Sequence, residues 1–233
     1  MLTIVLGTTE LGGGAPKTQP SNADVRAVVA FVGDSNISFG GQSPVADLTY
    51  GTNVNVYPGS ELNDNYVPVF VARGGAGIRA PDCLTTSCAT DDFWKIKLDA
   101  TFAKITPDAV VTDLGINDAL VAGTATSQGY ADYGDKIDWL MRLLPGKPVF
   151  WTNLPCAIEP RAYRPGCETV NNSLTVASQR WSNLVVLNWG DIADNHPGWM
   201  RYEGTVYGVH YTNAGYNAWT HLVLGALDIA FPK

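Results

Sequence analysis

The sequence predicts an α/β protein, a three-layer α/β/α sandwich around a mostly parallel five-stranded sheet. Two observations carry that expectation. Five short apolar runs, rich in β-branched and aromatic residues and bounded by turn residues, read as buried strands. Between them lie longer stretches whose apolar residues recur at helical spacing. With 233 residues, 45% of them hydrophobic and 16% charged, the chain can bury one substantial core. It shows no repeat and no second core pattern.

Taken in order, residues 1–23 are rich in Gly, Thr and Pro, with Gly12-Gly13-Gly14, Pro16 and Pro20. They read as an N-terminal extension, a leader remnant or a linker, and the domain is expected over 24–233. Leu2 to Leu6 is too short for a signal-peptide core and lacks a basic flank. The expected strands are Arg26–Val32, Val67–Ala72, Ala109–Leu114, Pro148–Leu154 and Leu184–Trp189. Asp91-Asp92 can start a helix bearing Phe93, Ile96, Leu98 and Phe102, ended before Pro107. Tyr130–Leu144 repeats Tyr133, Ile137, Leu140, Met141 and Leu144 at helical spacing, and Thr169–Trp181 and Ala214–Phe231 complete the set.

Net charge is −7 and the isoelectric point about 4.8, which argues against a nucleic-acid footprint or a polybasic membrane anchor. No apolar run approaches the ~18 residues of a membrane span. The four cysteines, Cys83, Cys88, Cys156 and Cys167, allow three pairings, of which the local one (83–88 and 156–167) is preferred. Free thiols stay open; a zinc site is disfavoured, because the spacings match no compact metal knuckle. Two disulfides would place the protein in an oxidising compartment, secreted or extracytoplasmic.

Four stretches carry chemistry. Val28 to Val32 ends abruptly in Gly33-Asp34-Ser35-Asn36, which puts Ser35 at the carboxyl end of a buried strand, where open α/β sheets bind ligands. Gly74-Gly75-Ala76-Gly77 follows the second strand and lets backbone N–H groups approach a ligand closely. Gly115-Ile116-Asn117-Asp118 follows the third; Asn117 offers an amide to a developing oxyanion, or a helix N-cap. Gly208-Val209-His210-Tyr211 leads into the last helix and supplies a histidine. No G-x-G-x-x-G dinucleotide fingerprint follows the first strand, and no G-x-S-x-G elbow is present.

Those four blocks, in that order over about Val25 to Phe231, resemble the SGNH (GDSL-type) hydrolase family. The resemblance implies a flavodoxin-like fold and acyl transfer without metal or organic cofactor. It makes Ser35 the nucleophile and His210 the base, with Ser35 N–H, Gly77 N–H and the Asn117 amide as oxyanion donors. The segment Asn188-Trp189, then His196-Pro197-Gly198-Trp199, also resembles the catalytic-domain ends of some cell-wall O-acetyltransferase relatives.

One position departs from the family pattern. The family carries Asp three residues before the histidine, and here that residue is Tyr207. A phenol is uncharged near neutral pH and a poorer partner for an imidazolium. Three readings are open: a Ser–His dyad whose ring is held by a carbonyl or water; another acid (Glu203, Asp191 or Asp194) reaching the ring; or an impaired enzyme that binds more than it turns over.

Elsewhere, Asp34 and Asp118 read as turn braces, His196 as a loop residue and His221 as a residue on a packed helix face. Trp181, Trp189 and Trp199 could form a sugar platform, but large aromatics are more often core. The sequons at Asn36 and Asn171 carry no inference. The expectation is a monomeric esterase for short acyl esters, acetylated carbohydrate preferred. The rivals are an O-acyltransferase and a carbohydrate- or surface-binding protein on a retired hydrolase fold.

Overall fold

A computed structural model describes residues 26–38, 65–78, 92–120, 126–157, 163–203 and 206–233. The N-terminal extension and the Cys83/Cys88 pair lie outside these residues.

Five parallel strands form the sheet: β1 (Val28–Gly33), β2 (Val67–Ala72), β3 (Ala109–Thr112), β4 (Val149–Thr152) and β5 (Leu184–Leu187). Their spatial order is β2-β1-β3-β4-β5, the flavodoxin-like arrangement, with the strand order reversing beside β1. The sequence-predicted sheet is therefore present. Parallel neighbours need crossovers, and the helices supply them: α1 (Ser35–Ser38), α2 (Asp92–Phe102), α3 (Ile116–Ala119), α4 (Ser127–Leu143) and α5 (Arg164–Arg180). After β5 come α6 (Trp189–Asp194), a 3₁₀ turn at Pro197–Trp199, an antiparallel hairpin of β6 (Met200–Glu203) and β7 (Val206–Tyr211), and α7 (Asn213–Ala230).

Burial on both faces explains why the strands read as continuous apolar runs. Successive residues of β1 enter opposite cores. Ala30 and Val32 join Trp94, Leu98, Ile137, Leu140 and Leu174 beneath α2, α4 and α5. Val29 and Phe31 join Trp189, Trp219, Val223 and Leu227 beneath α6 and α7. Each strand thus stabilises two layers, and a one-residue slip would exchange them.

Several boundaries differ from expectation, and one pair of strands was not expected. β3 ends at Thr112 because Asp113 and Leu114 turn away, with Leu114 N–H meeting Thr112 Oγ1 at 3.3 Å. Helix α5 begins at Arg164, five residues before the predicted Thr169, because Pro165 in its first turn forfeits only an N–H that has no intrahelical acceptor. The β6–β7 hairpin was not anticipated. Its strands lack the apolar density of the sheet strands, carrying Arg201, Glu203 and His210.

The expected Cys156–Cys167 disulfide is present, tying the segment after β4 to the first turn of α5. It closes a loop of sequence separation 11, so chain entropy gives it roughly 2–3 kcal/mol of stabilisation. Replacing both cysteines with Ala should lower urea-unfolding stability by about that amount, with the m-value unchanged or slightly raised as the uncrosslinked chain exposes more surface. A loss below about 0.5 kcal/mol would show that the loop is held by its other bonds.

Candidate active site

The turn after β1 is the foundation of the site. Arg73 N–H meets Gly33 O at 3.0 Å, so the loop after β2 stays beside the turn after β1. A Cβ on Gly33 would lie 2.2 Å from Asp113 Oδ1, so only glycine fits here. Asp34 is fully buried and braces the turn: Oδ1 accepts Asn36 N–H at 2.8 Å, and Oδ2 accepts Asn117 Nδ2 at 3.0 Å. Ser35 follows as the first residue of α1, 5% exposed.

The histidine arrives from the other end of the chain. His210 Nε2 lies 3.0 Å from Ser35 Oγ, across a sequence separation of 175. Asn36 locks the two elements together, its Nδ2 donating to Val209 O at 2.9 Å and its Oδ1 accepting from Tyr216 Oη at 3.3 Å. This bridge joins residues 173 apart and leaves no mark in the local sequence around Asn36. It also buries the first sequon asparagine.

The base of the hairpin is held by an aromatic column. Trp189 is fully buried and parallel to Trp199, with centroids 5.8 Å apart, and His196 stacks on Trp199 at 3.9 Å. His196 Nδ1 lies 2.8 Å from Ile192 O, which fixes the ring. Thr212 N–H then meets Trp199 O at 2.8 Å and Thr212 Oγ1 donates to Gly198 O at 2.9 Å, two residues beyond His210. His196 is therefore more than a loop residue. Trp189 is core, and Trp199 is covered by His196 on one side, so they form a brace for the hairpin and not an open sugar platform.

Asn117 lies half-buried in α3, whose N-cap is Gly115 and not an Asn or Asp side chain. Gly115 has φ 143°, a backbone region that favours glycine. Asn117 Nδ2 donates to Asp34 Oδ2 and, at 2.9 Å, to Ala76 O. Both amide hydrogens are engaged, and one must be released to serve an oxyanion. Asp118 is a brace, accepting Ile78 N–H at 2.9 Å and the Tyr133 hydroxyl at 3.3 Å. Gly77 is buried against that carboxylate, 2.5 Å from Asp118 Oδ1 to the position of a Cβ, and its carbonyl accepts Trp94 Nε1. Gly74 is exposed, with open space where a side chain would stand.

Two of the acids considered as partners of His210 are occupied elsewhere. Asp194 Oδ2 accepts the N–H groups of Cys156 and Ala157 at 2.8 and 2.7 Å, bracing the disulfide segment. Asp191 Oδ2 accepts from Asn188 Nδ2 at 2.9 Å. The side chains of Glu203 and Tyr207 lie outside the described residues; the backbone of 207 pairs with Tyr202 in the hairpin. His221, expected on a packed face, points outward from α7 because the buried stripe of that helix runs through Trp219, Val223 and Leu227.

A further acid was missed altogether. Asp113 is 3% exposed, and its Oδ1 accepts Asp34 N–H at 3.3 Å. Burial pushes its carboxyl up to about 7. Burial, and then the neighbouring charge of Asp113, pushes Asp34 well above the carboxylate range as well. The signal was a charged residue at the end of an apolar strand run, directly before the Gly115–Asp118 block. No group of metal-ligating side chains occurs among the described residues.

Solved structures share this fold at low identity. A lipase/acylhydrolase from Enterococcus faecalis is 17% identical, covering 89% of this chain and 98% of its own, with TM-score 0.61. The C-terminal catalytic domain of Streptococcus pneumoniae peptidoglycan O-acetyltransferase A is 15% identical, covering 88% and 94%, with TM-score 0.57. An acetylxylan esterase from Geobacillus stearothermophilus is 13% identical, covering 85% and 93%, with TM-score 0.56. No curated protein matches the chain in sequence. The sequence profile of the GDSL-like lipase/acylhydrolase family, however, matches residues 31–218, from the strand before the Ser35 turn to the helix after His210, and the chain belongs to that family.

Proposed function

We propose that the protein is a serine esterase that hydrolyses short-chain acyl esters, with acetylated carbohydrate as the preferred natural substrate. The observation that carries this reading is the 3.0 Å approach of His210 Nε2 to Ser35 Oγ at the carboxyl end of β1. A serine hydroxyl is a weak nucleophile, and an adjacent imidazole activates it by accepting its proton as Oγ attacks the acyl carbon. His210 then returns the proton to the leaving alcohol oxygen, and water cleaves the acyl-enzyme by the reverse sequence.

The oxyanion donors are Ser35 N–H, an N–H of the 74–77 loop and the Asn117 amide. Gly77, the donor expected from the resemblance, is braced in the interior; Gly74 follows the β1-paired residue and is open to an entering ester. Asn117 serves by exchanging Ala76 O for the oxyanion while Asp34 holds its other hydrogen. Asp194 Oδ2 braces the disulfide segment and Asp191 Oδ2 accepts from Asn188, so neither set of bonds assigns the acid of a triad.

Transfer to a sugar hydroxyl is the second reading. It shares every step up to the acyl-enzyme, and the fold it needs is that of the Streptococcus pneumoniae O-acetyltransferase domain. The disulfide supports an extracytoplasmic setting. No described helix is long and apolar enough to cross a membrane.

Turnover of p-nitrophenyl esters from acetyl to octanoyl tests the reading. Ser35→Ala should lose at least roughly 10⁴-fold in kcat, with acetyl the best substrate. Turnover indistinguishable from that of Ser35→Ala on every ester would leave a binding protein. Asn117→Ala should lose about 10²–10³-fold in kcat with little change in KM, since an oxyanion forms only in the transition state. A loss confined to KM would make the amide a substrate contact instead. An added sugar acceptor that diverts acyl product from water would favour transfer.

A further inference from the structure

The register of the β6–β7 hairpin leaves the histidine on an irregular stretch. Tyr207 faces Tyr202 and Tyr211 faces Met200, with a register shift between those two β6 residues. Residues 208–210 therefore stand against Arg201 alone. Such an irregularity bends its strand and re-aims the side chains on it, so His210 needs holding from outside the hairpin.

Both sequence neighbours of His210 are held, and both holds lead to Tyr216. On one side, Val209 O accepts Asn36 Nδ2 at 2.9 Å. A carbonyl oxygen can only accept, so the amide nitrogen must face it, and Asn36 Oδ1 is left to accept Tyr216 Oη at 3.3 Å. On the other side, the Tyr211 and Tyr216 rings meet edge to face, with centroids 5.3 Å apart. Asn36 is itself seated by its N–H on Asp34 Oδ1, and Tyr216 by its N–H on Thr212 O, in the first turn of α7. Asn36, Tyr211 and Tyr216 are all buried, which limits competition from water for these bonds.

We propose that Tyr216 and Asn36 are positioning residues for His210: the Tyr216 hydroxyl orients the Asn36 amide, the amide holds the main chain at Val209, and the Tyr216 ring backs Tyr211. The 3.0 Å approach of Nε2 to Ser35 Oγ is set in this way from α7 and from the residue beside the serine. Misplacing a reacting group by about 1 Å can cost on the order of 10²-fold in rate. The effect of the clamp therefore lies in kcat, while substrate affinity is left alone.

The proposal rests on Ser35 and His210 being the reacting pair, so its test has two arms. In the first, kcat and KM for p-nitrophenyl acetate are measured for the full chain, Asn36→Ala, Tyr216→Phe and the double variant. Tyr216→Phe keeps the ring and removes the hydroxyl. It should lower kcat about tenfold, and Asn36→Ala about 10²-fold, each with KM within about twofold. In the Asn36→Ala background Tyr216→Phe should cost nothing further, because the hydroxyl acts through the amide. Tyr66→Phe removes a hydroxyl bond to Asp228, further along the same helix, and should leave kcat unchanged. No loss in Tyr216→Phe overturns the proposal, as does a loss that is equal in both backgrounds, falls on KM, or is matched by Tyr66→Phe.

The second arm needs neither turnover nor a folded Asn36→Ala. Nitrogen-15 NMR follows the His210 ring, whose Nε2 lies beside Ser35 Oγ. Ser35→Ala removes that oxygen and should shift the Nε2 resonance in the otherwise wild-type chain. In the Tyr216→Phe background the same replacement should give a smaller shift. An equal response in both backgrounds overturns the proposal. An inactive wild type whose response shrinks as expected would instead count against the esterase reading alone.

Discussion

The site depends on how one buried carboxyl group is satisfied. Asp34 sits where β1 ends, and its two oxygens fix two different loops: its own turn through Asn36 N–H and the turn after β3 through Asn117. The cost of burying that carboxyl is met only when both donors are present. The loops after β1 and β3 therefore cannot drift apart without exposing or orphaning it. The loop after β2 is drawn in through Ala76 O on Asn117 and Ile78 N–H on Asp118. Ser35, Asn117 and the glycine loop are thus parts of one polar network, fixed before any substrate enters.

The sheet supplies the platform for that network. β1 lies between β2 and β3, so the three loops at its carboxyl edge emerge side by side. Strands buried on both faces leave a strong mark in sequence, which is why all five could be read from composition and alternation. The four motif blocks were legible for a related reason: each sits at a strand or helix end, where Gly, Asn, Asp and Ser have few structural substitutes.

What could not be read is long-range. The Asn36 bond to Val209 spans 173 residues, and nothing local distinguishes it from an ordinary turn asparagine. Asp113 likewise looked like the polar end of a strand, because its significance comes from Asp34, a neighbour only through the sheet register. The helix α6, the 3₁₀ turn and the hairpin escaped because they are held by aromatic stacking and backbone bonds instead of a periodic apolar face. Asp191 and Asp194 were plausible partners for His210 by proximity in sequence, and only the structure shows their Oδ2 atoms accepting from Asn188 and from the disulfide segment.

The order of the parts along the chain has a consequence for how activity arises. All five sheet strands lie between Val28 and Leu187, and Ser35 with its bracing carboxylates belongs to that segment. The histidine, its hairpin and the aromatic column occupy the remainder, from Trp189 onward. During synthesis Ser35 leaves the ribosome long before His210, and the two meet only when roughly the last fifth of the polypeptide docks. In the proposed reaction, the nascent chain could not act on esters until that docking is complete. A single cut between β5 and the hairpin would remove the covalent link between Ser35 and His210 and leave only packing and the Asn36 bonds to hold them together.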